Sequence, residues 1–402
     1  MTSDAHLPVL IIGGGPVGIL NALGLARAGV PVHLFERSDA VVQSPRAVVY
    51  HWSVLDGLDR LGLFEEASTR GFLKQDYAYR VFKTGQEVRY GLQALEGKVT
   101  HPFNLHMGQN VLAELALERL MAYPHAQVHW SHTFVGVTQD ADSVTAEFET
   151  VAGPVTFTGS WLIGADGAGS AVRKSQNIDF EGITWPERFV ATNVRYPFEK
   201  NGWGQTTFLV DDEYGAIITK IDNSGAHGLW RVTYAEDAAL PVDGIEERMP
   251  AYFAAILADP ENVVVEAYSP YSMHQRAAAQ FRSGRVLLAG DAAHSTNPTG
   301  GLGLTSGLFD TFVLYEALAA VIAGTAEEAV LDVYATERHR IFTEIVTPAA
   351  SNNKRLVYHS SDPVRLAEDL AEIEKLPIDE EALVKRLMFP KSLETPSLIG
   401  AW

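Results

Sequence analysis

The chain has 402 residues, 47% hydrophobic and 20% charged, an ordinary globular composition with room for two domains or one large domain carrying an insertion. Its 50 acidic against 31 basic residues give a formal net charge of −19, which argues against nucleic acid and anionic membrane surfaces as partners. With no cysteine, disulfides, thiolate catalysis and cysteine-based metal sites are excluded, and with no basic-then-apolar leader before Pro8 the expectation is a soluble cytoplasmic protein without a membrane span.

Val9-Leu10-Ile11-Ile12 reads as a short buried strand, followed by Gly13-Gly14-Gly15-Pro16-Val17-Gly18 and an Ala/Leu-rich helix that ends at Gly29. Val32-His33-Leu34-Phe35 is the next strand, closing at Glu36 with Arg37 behind it. Gly13, Gly15 and Gly18 stand at G-x-G-x-x-G spacing inside a βαβ unit, and Glu36 is placed to take ribose hydroxyls, so this corner predicts an adenine dinucleotide with a free 2′-hydroxyl. Arg46 follows in Ser44-Pro45-Arg46, near the start of a helix marked by Leu55, Leu58 and Leu61, where a phosphate contact and a solvated surface arginine are both open readings. Strands are expected around the Thr84-Gly85 turn and a helix from Gln109. Val128–Trp130, Thr133–Thr138, Ser143–Glu149 and Val155–Thr158 read as a four-stranded meander. His125, His129 and His132 fall within it, and strand alternation scatters them, so no metal site is expected.

A second corner follows at Gly164-Ala165-Asp166-Gly167, leading into a helix with Arg173. From about Phe180 to Ala277 the texture changes to aromatic-rich strands at 189–196, 206–210, 216–220, 228–234 and 263–268, expected to form an antiparallel sheet with one face suited to an aromatic ligand. The third corner is an apolar strand through Ala289, then Gly290-Asp291 and the loop Ser295 to Gly307, with helical periodicity from about Leu308. A carboxylate at a strand end can accept hydrogen bonds from hydroxyls, and glycine-loop N–H groups at a helix start favour negative charge. The remainder reads as helical, including 329–346.

These three corners together resemble the signatures of the class A FAD-dependent aromatic monooxygenases, most of all the phenol and 3-(3-hydroxyphenyl)propionate hydroxylase branch, over residues 8–350. The resemblance implies an α/β fold with an α+β insert: a discontinuous Rossmann-like FAD-binding domain (1–75, 100–178, 277–350), a substrate-binding sheet domain (76–99, 179–276) and a helical C-terminal tail (351–402). It implies FAD contacts from Gly13, Gly15, Pro16, Gly18, Glu36, Arg37, Arg46, Gln109, Asp166 and Asp291, and from the backbone at Gly301, Gly303, Leu304 and Thr305. Many relatives carry Asn at the position of Thr305, so a backbone contact is expected there rather than a side-chain one. The resemblance also implies that Asp166 and Arg173 couple flavin binding to transient nicotinamide docking, and because no second ribose fingerprint follows, NAD(P)H is expected to have no domain of its own. The chain stops at Trp402, without the thioredoxin-like domain of longer phenol hydroxylases, and a homodimer is open.

The activity implied is hydroxylation of a phenolic or hydroxylated N-heteroaromatic ring, with NADPH or NADH reducing FAD and O2 forming a flavin C4a-hydroperoxide. The candidate catalytic residues are His51 and Tyr50, expected to pass beside the isoalloxazine, and Pro298 in the glycine loop; His106, Tyr271 and His274 are rivals for the base that ionises the phenol. The alternatives are a reductase or oxidase on the same fold, or a non-enzymatic flavin-fold binding protein. A halogenase is disfavoured by the absence of a Trp-x-Trp-x-Ile-Pro segment.

Overall fold

The computed structural model describes residues 7–43 and 47–400, so the Ser44-Pro45-Arg46 turn and its candidate phosphate ligand lie outside the described residues. Val9–Ile12 is buried along its whole length and runs parallel to Trp161–Gly164 on one side and Val32–Phe35 on the other. Val286–Leu288 adds in parallel beyond Trp161–Gly164. Strands buried on both faces account for the uninterrupted apolar runs in the sequence. The order Val286–Leu288, Trp161–Gly164, Val9–Ile12, Val32–Phe35 has a direct consequence. All three glycine/carboxylate corners, and Glu36, leave the carboxyl edge of four neighbouring strands and so face one crevice.

Ala126–His129 completes this sheet beside Val32–Phe35 in parallel, rather than opening the meander as the sequence suggested. Alternation reveals a strand but not its partner; His129 is fixed here by stacking on Phe35, 4.6 Å between ring centroids. The meander therefore has three strands, Thr133–Gln139, Val144–Thr150 and Gly153–Gly159.

The second large sheet has eight strands and is mixed rather than antiparallel throughout, because Thr206–Val210 runs parallel to Asp76–Val81. Its two longest strands, Phe180–Arg195 and Val264–Ala278, extend well past the apolar stretches that marked them: 180–186 is largely exposed, and 269–278 carries Pro270 and few large apolar residues. A helix not expected from the sequence, Ile245–Ile256, buries Ile245, Met249, Phe253 and Ile256 against Trp230, Val232 and Tyr234. Their spacing is a helical stripe interrupted by Pro250, which hid it.

The helix Leu302–Ile322 runs through the core and starts six residues before the expected Leu308, so the glycine loop supplies its first turn. It is the one helix among the described residues long and apolar enough to cross a membrane, and 72% of that stretch is buried inside the fold. It packs on Pro16–Arg27 with Val17 wedged between Gly290 and Gly307; a Cβ on either glycine would approach Val17 Cγ2 to 2.9 Å. Asn21 Nδ2 also donates to Thr311 Oγ1 at 3.2 Å across this contact. The last helices, Pro363–Lys375 and Glu380–Met388, cover Trp52, Tyr79 and Tyr90. Trp52 Nε1 donates to Leu387 O at 2.9 Å, and Arg386 donates to the Tyr79 hydroxyl at 2.9 Å.

Candidate active site

At the dinucleotide corner, Gly13 has φ +116°, and a Cβ there would lie 2.3 Å from Ala165 O. A Cβ on Gly18 would lie 1.9 Å from Gly13 O, so Gly13 and Gly18 close the turn. Gly15 differs: nothing lies within 4 Å of where its Cβ would be. It caps Pro16–Arg27 without a side-chain hydrogen bond, leaving the first N–H groups of that helix facing open space. Glu36 Oε2 accepts the Gly14 N–H at 2.7 Å and Oε1 that of Ser38 at 2.9 Å, so the carboxylate is fixed at the strand end beside exposed Arg37. Gln109 opens the helix Gln109–Leu120, and its N–H donates to Ala47 O at 3.2 Å.

Asp166 closes its own turn: Oδ1 accepts from Ser170 Oγ at 2.5 Å and Oδ2 from the N–H groups of Ala171 and Val172. Burial raises its pKa against those hydrogen bonds. Arg173, 3% exposed, donates to Ala168 O and to Ala292 O at 2.8 Å, which ties the second corner to the third.

At the third corner Gly290 has φ +58°, and its N–H donates to Asp310 Oδ2 at 2.9 Å. Asp310 also accepts from His294 Nε2 at 2.6 Å and Arg338 Nε at 2.7 Å, and all three side chains are at most 1% exposed. Burial pushes the Asp310 pKa up, but His294 and Arg338 outweigh it and bring the value down to about 2. Asp291 is exposed on the crevice side, beyond this buried anchor. The loop then turns through Pro298, whose carbonyl accepts the Gly301 N–H, and Gly301 (φ +71°) starts Leu302–Ile322 with no side-chain cap. Gly303 and Leu304 stand in that first turn with their N–H groups unclaimed by the helix. The Thr305 hydroxyl donates to Gly301 O at 3.0 Å, so its side chain is engaged within the turn.

Residues from three separate segments meet beside this loop in a small sheet, Val49–Tyr50, Asn104–His106 and Phe72–Lys74. The register pairs Val49 and Phe72 with His106, and Lys74 with Asn104. Alternation then puts His51, Phe72, Lys74, Asn104 and His106 on one face, and Tyr50 on the other, in the dinucleotide-side core. His51 Nε2 donates to Gly300 O at 2.9 Å, joining this face to the glycine loop. His106 Nδ1 donates to Lys220 O at 2.7 Å, joining it to the eight-stranded sheet. Burial lowers the pKa of His51 to about 4 and of His106 to about 3, and holds the Tyr50 phenol protonated. Of the rivals, His274 Nδ1 bonds Thr184 Oγ1 at 2.9 Å and Tyr271 packs edge-on against Phe189, both on Val264–Ala278. Sequence reasoning missed Lys74, Asp310, His294 and Arg338 as site residues. Asp310 lies inside the glycine stretch, but nothing local marks it as buried.

A flavin dinucleotide fits this crevice on four counts: the open space at Gly15, two uncapped helix N-termini packed side by side, fixed Glu36, and the buried Thr296 and Thr299 hydroxyls of the glycine loop, which have no protein partner. The FAD binding domain family matches residues 6–349. The chain is 44% identical to the 6-hydroxy-3-succinoylpyridine 3-monooxygenase of Pseudomonas putida, over 96% of this chain and 98% of that one. It is 39% identical to the para-nitrophenol 4-monooxygenase of a Pseudomonas species, over 90% of each. The crystal structure of p-nitrophenol 4-monooxygenase from Pseudomonas putida superposes with a TM-score of 0.93, at 37% identity, covering 97% of this chain and 99% of that one.

Proposed function

We propose a substrate and a set of residue roles from the premise that this chain belongs to the FAD binding domain family, as an FAD-dependent aromatic monooxygenase acting on a small aromatic substrate and O2. The substrate is a monocyclic phenol or hydroxypyridine, hydroxylated ortho or para to its hydroxyl. The observation that carries this is the meeting of His51, Lys74 and His106 on one buried face that touches both the glycine loop and the aromatic-rich sheet. Relatives named for a hydroxypyridine and a nitrophenol agree in substrate size and in carrying a ring hydroxyl.

Bound FAD supplies the centre that takes hydride from NAD(P)H and activates oxygen. The protein's own groups do the rest. Gly15 and Pro16 open the helix whose Val17 and Gly18 N–H groups would face the pyrophosphate, Glu36 would take ribose hydroxyls, and Asp291 would take hydroxyls of the ribityl chain. The N–H groups of Gly303 and Leu304 would face the flavin pyrimidine, where the helix end favours negative charge, while Gly301, its own N–H held by Pro298 O, shapes the turn. Residues 1–75, 100–178 and 277–350 would form the unit that holds FAD, with 76–99 and 179–276 as the substrate lid. The Tyr77, Tyr79, Tyr90 and Phe208 stack on that side keeps water from the reaction. The test is stoichiometry: with a true substrate, NAD(P)H consumed, O2 consumed and hydroxylated product should match one to one. NAD(P)H oxidation with no hydroxylated product from any phenol or hydroxypyridine would overturn the reading.

A further inference from the structure

Three lysines are buried among the described residues. Lys220 is paired with Glu199 at 2.7 Å and Lys354 with Glu187 at 3.1 Å. Lys74 is 0% exposed, its Nζ has no hydrogen-bond partner, and no ion pair joins it to a carboxylate. Asp76, two residues along, attracts it but gives its Oδ1 to the Gln205 N–H. A buried ammonium with no counter-ion costs several kcal/mol. What Lys74 has instead is the Tyr77 ring face, 2.6 Å from Nζ to the centroid.

Beside it lies the complementary vacancy in hydrogen bonding. A carbonyl can only accept, so the His106 Nδ1 that contacts Lys220 O carries the proton and Nε2 holds the lone pair. His106 is 0% exposed, and Nε2 has no partner. An orphaned cationic donor and an orphaned acceptor thus share one face, with Phe72 between them in the register and His51 leading to the glycine loop.

We propose that Lys74 is the residue that binds the substrate's ring hydroxyl and holds it as the oxyanion, with His106 Nε2 steadying the ammonium. This rests on the reading of the substrate as a phenol or hydroxypyridine. If the substrate arrives neutral, its O–H bond breaks, the proton moves to the Lys74 amine lone pair, and the electron pair stays on the phenolic oxygen. If it arrives ionised, the ammonium is already its counter-ion, and both routes end in the same ion pair. Of the three ammonium hydrogens, one points to the oxyanion, one to His106 Nε2 and one to the Tyr77 ring. Burial without a counter-ion lowers the Lys74 pKa well below that of a free lysine, which leaves the amine lone pair available, and the oxyanion then supplies the counter-ion that holds the proton on it. The other groups beside Lys74 are His51, Asp76 and Asn104, with Thr219 and Lys220 on the far side of His106 in contact with its Nδ1. Of these, the imidazole of His51 is held neutral by burial, Asn104 is engaged with Trp52 N and the Tyr77 hydroxyl, and Lys220 is already paired. Charge on the ring oxygen raises electron density at the ortho and para carbons, which is what electrophilic oxygen transfer needs.

The probe is 4-nitrophenol, yellow when ionised and colourless when neutral, titrated on the FAD-loaded enzyme by difference absorbance. The expected result is a ratio of ionised to neutral probe, at a given pH, at least ten times higher for the bound than for the free probe. Lys74→Met should retain FAD and reverse this preference, and His106→Leu should reduce it. A probe that titrates on the wild type as it does in water, or fails to bind, overturns the assignment, and so does a Lys74→Met enzyme whose bound probe stays equally yellow. If Lys74→Met does not fold, the wild-type titration decides alone. Product formed equally by wild type and Lys74→Met would sink the role of Lys74 and leave the hydroxylase reading intact. Loss of product with every hydroxyaromatic in the wild type would sink that reading instead.

Discussion

The carboxylate of Asp310 accepts the backbone N–H of Gly290 at 2.9 Å, across 20 residues of chain, and so clamps the strand end that presents Asp291. The other carboxylate oxygen holds Arg338, which also donates to Leu393 O and Ser306 O. The third glycine corner is therefore positioned by a buried ion-pair network, and its carboxylate is distinct from the one that faces the ligand.

Asp310→Ala strands the buried Arg338 guanidinium and frees the Gly290 N–H, so a loss of about 3–5 kcal/mol in unfolding free energy is expected. Urea titration checks it. The pH dependence has a definite sign. The folded pKa of about 2 lies below the ordinary 3.8, so this group's stabilisation is present above about pH 4 and is lost as pH falls toward 2. The variant should show a shallower loss of stability over that window than the wild type.

Asp291→Ala should leave a folded protein, because the side chain is exposed and outside the buried network. FAD affinity should fall about ten- to a hundredfold, as for a lost hydrogen bond to a charged acceptor. Fluorescence titration of the stripped protein with FAD measures it, and unchanged affinity would remove Asp291 from the site.

Gly15→Val and Gly18→Val should part company. Gly15 has φ −80° and open space before it, so valine there folds and acts on the ligand, lowering FAD affinity. At Gly18 the new Cβ meets Gly13 O at 1.9 Å, so the expected result is loss of folded protein. Soluble yield and FAD content of the two variants separate the cases.

His51→Leu removes the bond to Gly300 O and loosens the glycine loop while keeping both Lys74 and His106 in the chain. The expected outcome is poorer coupling, with more hydrogen peroxide released per NAD(P)H, and a pH profile like the wild type. A profile that shifts alkaline instead would give His51 a share in ionising the phenol, the role its position in the sequence suggested.

The three glycine/carboxylate corners were legible in the sequence because each is local: a short apolar strand, a turn that admits only glycine at Gly13 or Gly290, and a helix start lie within about 20 residues. That the corners share one crevice follows from strand order, which Trp161–Gly164 decides by inserting between Val9–Ile12 and Val286–Leu288. The long strands Phe180–Arg195 and Val264–Ala278 were seen only over 189–196 and 263–268, where large apolar residues cluster, and the helix Ile245–Ile256 was masked by Pro250. His51 and His106 were already candidates in the sequence, but nothing there placed them on one face with Lys74. The strands of that face are two or three residues long, too short for periodicity, and come from chain positions near 50, 73 and 105. Only pairing in register turns those side chains to the same side, and only tertiary burial leaves Lys74 without water or a carboxylate, so the chemistry of that face was decided by packing.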